Sequence, residues 1–187
     1  MLSLLRKRSF QERWYMELKE VIRNRHSVRN FSDIEPPRKI IDEIIYYANL
    51  APSAGNLQAR DFIIIDNKTI REKLSIAAFG EKFIVEAPIT IVVCANFMRI
   101  SSYGTRGKEL YCIQDASAAV ENILLLVVDA GLDACWVGAF DENTVSTILE
   151  LPSYVRPIAI VPIGYSTEQK IPTLRMDIHV LTHRNHW

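Results

Sequence analysis

Among the first thirty residues, Phe10, Trp14, Leu18, Val21 and Ile22 recur at helical spacing between charged neighbours, which predicts an amphipathic helix over residues 10–24. Beyond Pro36 and Pro37, a second stripe of Ile40, Ile41, Ile44, Ile45 and Ala48 predicts a helix opening near Pro37, because proline suits a first helical position. That helix should run into a polar loop over residues 49–56. The β-branched run at 62–65 predicts a short strand buried on both faces, and residues 70–78 a short helix. The apolar run 88–95 predicts the central strand of the chain. The polar, glycine-bearing stretch 96–108 reads as the most mobile loop. Ile113, Val120, Ile123, Leu124, Val127 and Val128, with small alanines between them, predict a central helix apolar most of the way round and stopped by Gly131. A strand at 134–137, a short helix at 142–149 and a strand at 157–163 follow. The last twenty residues lack a core-helix pattern. Strands and helices alternate without a βαβ period or an internal repeat, so the expected fold class is α+β.

The length of 187 residues suits one domain spanning 1–187, and no linker interrupts it. Hydrophobic residues at 49% and charged ones at 24% exclude a disordered or collagen-like chain. Lys plus Arg equals Asp plus Glu at 22 each, which argues against a nucleic-acid binder with a uniformly basic surface. The balance is uneven, however: residues 1–30 hold eight Lys or Arg against three Glu, a local excess of +5 able to receive an anion. Cys94, Cys112 and Cys135 are odd in number and widely spaced, which suits a reduced, cytoplasmic protein. The opening apolar run is too short for an export signal. Glu121, Asn122 and Asp129 interrupt the greasiest stretch, 116–132, and argue against a membrane span.

Several familiar catalytic signatures are missing: there is no phosphate-binding P-loop, no G-x-G-x-x-G, no H-E-x-x-H and no G-x-S-x-G. His179, His183 and His186 gather in the tail without accompanying carboxylates or thiols, so no metal site is expected. Three segments retain chemical promise. In the first, residues 25–31, extended backbone would bring Arg25, Ser27 and Arg29 to one side, a hydroxyl between two guanidinium forks that suits a phosphate. The same arginines would also serve surface ion pairs. In the second, residues 51–58, small side chains let backbone approach a flat ligand while Asn56 and Gln58 offer amide donors and acceptors; a helix-terminating turn would use similar residues. In the third, residues 131–140, a strand feeds a Val137-Gly138-Ala139 turn, with Trp136 and Phe140 reading as core rather than as stacking partners.

In this order and spacing the segments resemble the nitroreductase family of FMN-dependent oxidoreductases, in its compact form. The resemblance is carried by R-x-S-x-R-x-F at 25–31, A-P-S-A-G-N-x-Q at 51–58, G-L-x-x-C-W-x-G-A-F at 131–140 and P-I-x-x-V-P-I-G at 157–164. It covers residues from about 20 to the end and leaves 1–19 as an extension without family signal.

The resemblance implies a mainly antiparallel sheet flanked by helices, and an intertwined homodimer with FMN at the subunit interface. It further implies that 165–187 form an arm reaching the partner. Arg25 then grips the phosphate, with His26 beside it; Ser27 supports the phosphate and ribityl region; Arg29 reaches the pyrimidine edge. Pro52, Ser53, Ala54, Asn56 and Gln58 belong to the loop given by the partner, and Val137, Gly138 and Ala139 to the turn beside flavin N5 and O4. Arg175, or alternatively Lys170, completes the phosphate site from the tail. NAD(P)H and a nitroaromatic, quinone or flavin acceptor would use one open pocket in turn. No acid or base side chain is required, because the flavin carries the chemistry. A flavin-consuming or dehalogenating enzyme, or a non-catalytic flavin-binding dimer, is the alternative. The usual Arg followed by Lys-Pro-Leu in the tail is replaced here by Arg175-Met176-Asp177-Ile178. Phe97, Met98, Tyr103 and Arg106 are candidate substrate-covering residues.

Overall fold

A computed structural model describes residues 16–169, 171 and 173–187. Its centre is an antiparallel sheet of β1 (Arg60–Ile65), β2 (Ile89–Asn96), β3 (Asp133–Ala134) and β4 (Val155–Gly164), in the order β1-β2-β4-β3. Side chains alternate across the two central strands, as the pleat requires. Val92, Cys94 and Ile160 face one layer, while Ile91, Val93, Ala159, Val161 and Ile163 face the other. The second layer holds α2 (Arg38–Ala48) and α6 (Cys112–Asp129), and the first holds α3 (Lys68–Ala77), α4 (Phe83–Glu86) and α7 (Glu142–Ile148). Helices on both faces explain why β2 and β4 are nearly continuous apolar runs. A register shift between Val93 and Cys94 puts Pro157 at an irregular point of the ladder, where its missing N–H is tolerated.

The α+β class and the central strand are as the pattern predicts, and several details differ. The first helix, α1, spans Leu18–Asn24 among the described residues, and the predicted turns before residue 16 lie outside them. β1 begins at Arg60 rather than at 62 and is an edge strand; Ile64 is exposed, so the strand is not buried on both faces. Helix α3 starts early because the Asn67 side chain accepts the Ile70 N–H at 3.2 Å and caps it. Of the predicted strand 134–137 only Ala134 pairs continuously, in β3 with Asp133; Val137 meets Ile160 as an isolated bridge.

The largest departure is at 96–108. Helical turns at Ser101–Tyr103, α5 (Gly104–Arg106) and a wide turn at Gly107–Tyr111 run directly into α6. Buried Ile100 anchors this lead to Ala59, Ala95 and Cys112. Gly107 lets its turns close up, since a Cβ there would sit 2.7 Å from the Tyr103 Cβ and 2.8 Å from the Ile100 carbonyl oxygen. One isolated apolar residue between polar ones carries no period, so this lead escapes sequence reading. After β4 the described residues of the tail form one helical turn, α8 (Ile178–Leu181).

Candidate functional site

Residues 25–32 form an extended strap leaving α1. Arg25 turns to extended backbone at the helix end, and the His26 Nδ1–H donates to the Asn24 carbonyl at 2.8 Å. Val28 is buried, and its N–H donates to the Ala134 carbonyl at 3.1 Å, so the strap lies along β3. Its other end is tied to the chain beyond β4. The Ser32 N–H donates to the Tyr165 carbonyl at 2.9 Å and the Thr167 N–H to the Asn30 carbonyl at 3.1 Å. Glu168 accepts the Arg29 N–H at 2.9 Å and the Asn30 side-chain N–H with its other oxygen. These donors, with the Arg29 charge, hold the Glu168 carboxyl below its ordinary range.

Fixing the backbone this way leaves Ser27 and Arg29 exposed and Arg25 half-buried, while Val28 and Phe31 point inward. Both guanidinium groups lack hydrogen-bond and carboxylate partners among the described residues. Side-chain ion pairs form elsewhere, between Arg99 and Asp61 and between Arg156 and Glu142, each at 2.6 Å. Among the described residues, neither guanidinium makes the surface ion pair of the alternative reading. The Arg29 guanidinium lies 5.9 Å from the centre of the Phe83 ring. Cys135 senses the cluster: burial pushes its thiol up, while Arg29, the Ser27 hydroxyl and Arg25 act in the opposite direction. The strap and the 135–139 turn thus lie side by side on the sheet edge. Cys94, on the same sheet, is pushed up to about 12 by burial and then by Asp61, so it stays a neutral thiol.

Within the 135–139 turn the assignments divide. Val137 spends both backbone groups on β4, donating to the Ile160 carbonyl at 2.9 Å and accepting the Ile160 N–H at 3.0 Å. Gly138 and Ala139 are exposed, and their N–H groups find no acceptor among the described residues. Trp136 packs against the layer with α2 and α6 and Phe140 against the opposite layer, both half-buried at the margin of the core. Trp136 also backs the turn, with its Nε1 3.7 Å from where a Gly138 Cβ would lie.

The 51–58 loop is held from beneath by two residues that sequence reasoning missed. Arg60 is 2% exposed, and its guanidinium donates to the carbonyls of Asn49 at 2.7 Å, Ala51 at 2.8 Å, Pro52 at 3.2 Å and Asp115 at 3.3 Å. Asp115 is 4% exposed and accepts the Ala54 N–H at 2.9 Å and the Ala59 N–H at 3.4 Å. Burial lowers the Arg60 pKa, and the Asp115 charge opposes that shift. A signal was available: Asp115 falls on the apolar stripe of α6, between Cys112 and Ala116. Above this base the Ser53 hydroxyl accepts the Gln58 N–H at 3.0 Å, and the Gln58 side chain donates to the Asn56 carbonyl at 3.1 Å. Ala54–Asn56 form one 3₁₀ turn, with Gly55, Asn56 and Gln58 all at positive φ.

Tyr103 lies over this loop, its hydroxyl oxygen 2.7 Å from where a Gly55 Cβ would be. Gly55→Ala is therefore expected to displace Tyr103 and to add about 1 kcal/mol of backbone strain at φ +57°. Thermal unfolding checks this: Gly55→Ala/Tyr103→Ala should recover the contact part of the loss and not the backbone part.

Strap and loop stand at opposite corners of the sheet. The loop enters β1 at Arg60, whose row continues through Ala95 to Arg156, while Ser27 bridges Ala134, which pairs with Ile163. From Arg156 to Ile163 is seven residues of β4, roughly 23 Å at about 3.3 Å per residue. β1 and β3 are also opposite edges. One hollow of about 360 Å³ beside the loop is lined by Asn49, Leu57, Gln58, Arg60 and Arg99, and one of about 280 Å³ lies between α2 and α6; neither includes the strap. Arg175 is exposed and donates only to the nearby Thr173 and Leu174 carbonyls, at 3.3 and 3.2 Å. Lys170 lies outside the described residues. No group of three metal-ligating side chains occurs among the described residues, the tail histidines included.

Among the described residues, two guanidinium groups without carboxylate partners, a hydroxyl and a turn whose N–H groups find no acceptor are thus gathered at one sheet edge, a donor set chemically suited to an anion. The model of the Nitroreductase family matches residues 22–83 and 75–165, and the chain belongs to that family. A relative in Methanothermobacter thermautotrophicus, with NADH dehydrogenase and NAD(P)H nitroreductase in its name, is 33% identical over 158 residues, covering 82% of this chain and 79% of that one. The FMN reductase [NAD(P)H] of Bacillus subtilis is 27% identical over 184 residues, covering 89% and 74%. The crystal structure of a nitroreductase family protein from Clostridium novyi superposes with a TM-score of 0.75 at 31% identity, covering 82% of this chain and 87% of that one.

Proposed function

We propose that this chain is an FMN-dependent oxidoreductase that takes hydride from NAD(P)H and reduces a nitroaromatic, quinone or flavin acceptor in the same pocket, by a ping-pong cycle. The observation that carries this reading is Arg25 and Arg29, without carboxylate partners among the described residues, flanking exposed Ser27 beside the Gly138 and Ala139 N–H groups, which find no acceptor among those residues. That donor set fits FMN: the cations and hydroxyl suit its phosphate and sugar alcohol, and the turn suits its ring edge. A bound flavin supplies hydride acceptance and electron delivery.

The chain's own residues bind and orient. Arg25 and Ser27 hold the anionic end, Arg29 offers positive charge at the ring's pyrimidine edge, and Glu168 keeps the Arg29 backbone in place. Gly138 and Ala139 present donors from a turn made rigid by the Val137–Ile160 pair. Val137 contributes its position and its buried side chain, since its N–H is already spent.

The 51–58 loop acts on the cofactor of a second copy in a homodimer. The distance between the two corners of one sheet supports that arrangement, and so does the exposed apolar arm. Ile171 is 80% exposed, Leu174 96% and Trp187 102%, apolar side chains that a second copy could cover. The arm brings Arg175 to the partner's phosphate site. Purified protein should be yellow or should take up FMN. NADH or NADPH should bleach the flavin bands without oxygen, and an added quinone or nitroaromatic should restore them. A colourless protein that ignores added FMN would overturn the proposal.

A further inference from the structure

We infer that Arg60 and Asp115 are positioning residues: a buried charge pair that sets the shape in which the 51–58 loop is offered to the cofactor of the second copy. The inference rests on the FMN reading for what the loop meets, and on geometry alone for what holds the loop.

Burying a guanidinium and a carboxylate is costly unless their hydrogen bonds are satisfied, and apolar replacements of similar size often stabilise a fold equally well. A chain that needed only to close this loop had that simpler option. Here the two charges divide the inward-facing polar groups of the loop by type. Arg60 collects carbonyls from Asn49, Ala51 and Pro52, and Asp115 collects N–H groups from Ala54 and Ala59. The planar fork reaches several acceptors at once, which a lysine ammonium at the end of a flexible stem does not reproduce. Three residues of the loop stand at positive φ, two of them not glycine, a conformation that persists where the surroundings over-determine it. Because Asp115 also gives its own carbonyl to Arg60, the base of the loop is tied to the first turn of α6.

The test compares Arg60→Lys and Asp115→Asn with Leu74→Ala, which opens a cavity in the layer of α3 on the other side of the sheet. In the flavin-free protein, Asp115→Asn should speed amide exchange at Ala54 and Ala59 about 10-fold or more, with Val92 and Ile160 unchanged. In the loaded protein, Arg60→Lys and Asp115→Asn should each weaken FMN binding about 10-fold or more and shift the flavin absorption bands, with lysine giving no rescue. Leu74→Ala should lower thermal stability and leave FMN affinity and band positions as they are. If Arg60→Lys fails to fold, the two Asp115→Asn measurements carry the test alone. Lower stability with wild-type exchange at Ala54 and Ala59 and wild-type FMN binding would overturn the inference. The cofactor reading fails separately, if Arg25→Ala leaves FMN binding unchanged.

Discussion

Arg25→Ala is expected to weaken FMN binding by about 1.5–3 kcal/mol, or about 10- to 150-fold in dissociation constant, while leaving the fold intact. The first half follows from the charge-assisted bonds that a guanidinium makes with phosphate oxygens. The second follows from what Arg25 does inside the chain: its side chain has no hydrogen-bond or carboxylate partner among the described residues, so truncation orphans nothing. FMN fluorescence titration gives the affinity, and a thermal melt checks the fold. Arg23, an exposed cation of the last turn of α1, is the matched control. Arg23→Ala should bind FMN as the parent does, since a nonspecific attraction to local positive charge would affect both variants alike. Equal affinity in Arg25→Ala and the parent would remove the strap from the cofactor site.

Ile123→Ala should cost about 2–5 kcal/mol of stability. Ile123 is fully buried at the middle of α6, in the layer that this helix shares with α2 and with Ile91, Val93 and Val161 of the sheet. Truncation there leaves a cavity between three elements that cannot all move in to fill it. Ile76→Ala is the instructive contrast: Ile76 stands on α3 at 76% exposure, and its loss should stay within about 0.5 kcal/mol. Urea unfolding at one fixed protein concentration measures both, since subunit association would make apparent stability depend on concentration. A small loss at Ile123 would contradict the two-layer core around β2 and β4.

How much of this was legible depended on whether a residue's role is local. The central strand could be read because β2 is covered on both faces and its eight residues are almost all apolar. Arg25, Ser27 and Arg29 could be read because extended backbone places alternate side chains together, whatever lies beneath. The segment 101–111 could not, because its helical turns depend on Ile100 docking against Ala59 and Cys112, a contact with no periodic signature. Arg60 was passed over for a related reason: a charged residue opening a strand ordinarily points to water. It is buried here because loop carbonyls converge on it from residues eight to eleven positions earlier.

By itself, then, the order of residues determined the α+β class, the two helix-covered central strands and the chemical character of the strap, because hydrophobic period and side-chain type are properties of short stretches. Tertiary structure alone decided three other matters. It spent the Val137 N–H on Ile160 while leaving those of Gly138 and Ala139 without an acceptor among the described residues, it left the Arg25 and Arg29 guanidinium groups without a hydrogen-bond or carboxylate partner among those residues, and it buried Arg60 and Asp115 under the loop. The physical reason is that a hydrogen bond between residues 55 apart, as between Arg60 and Asp115, exists only once the sheet and α6 have closed around it.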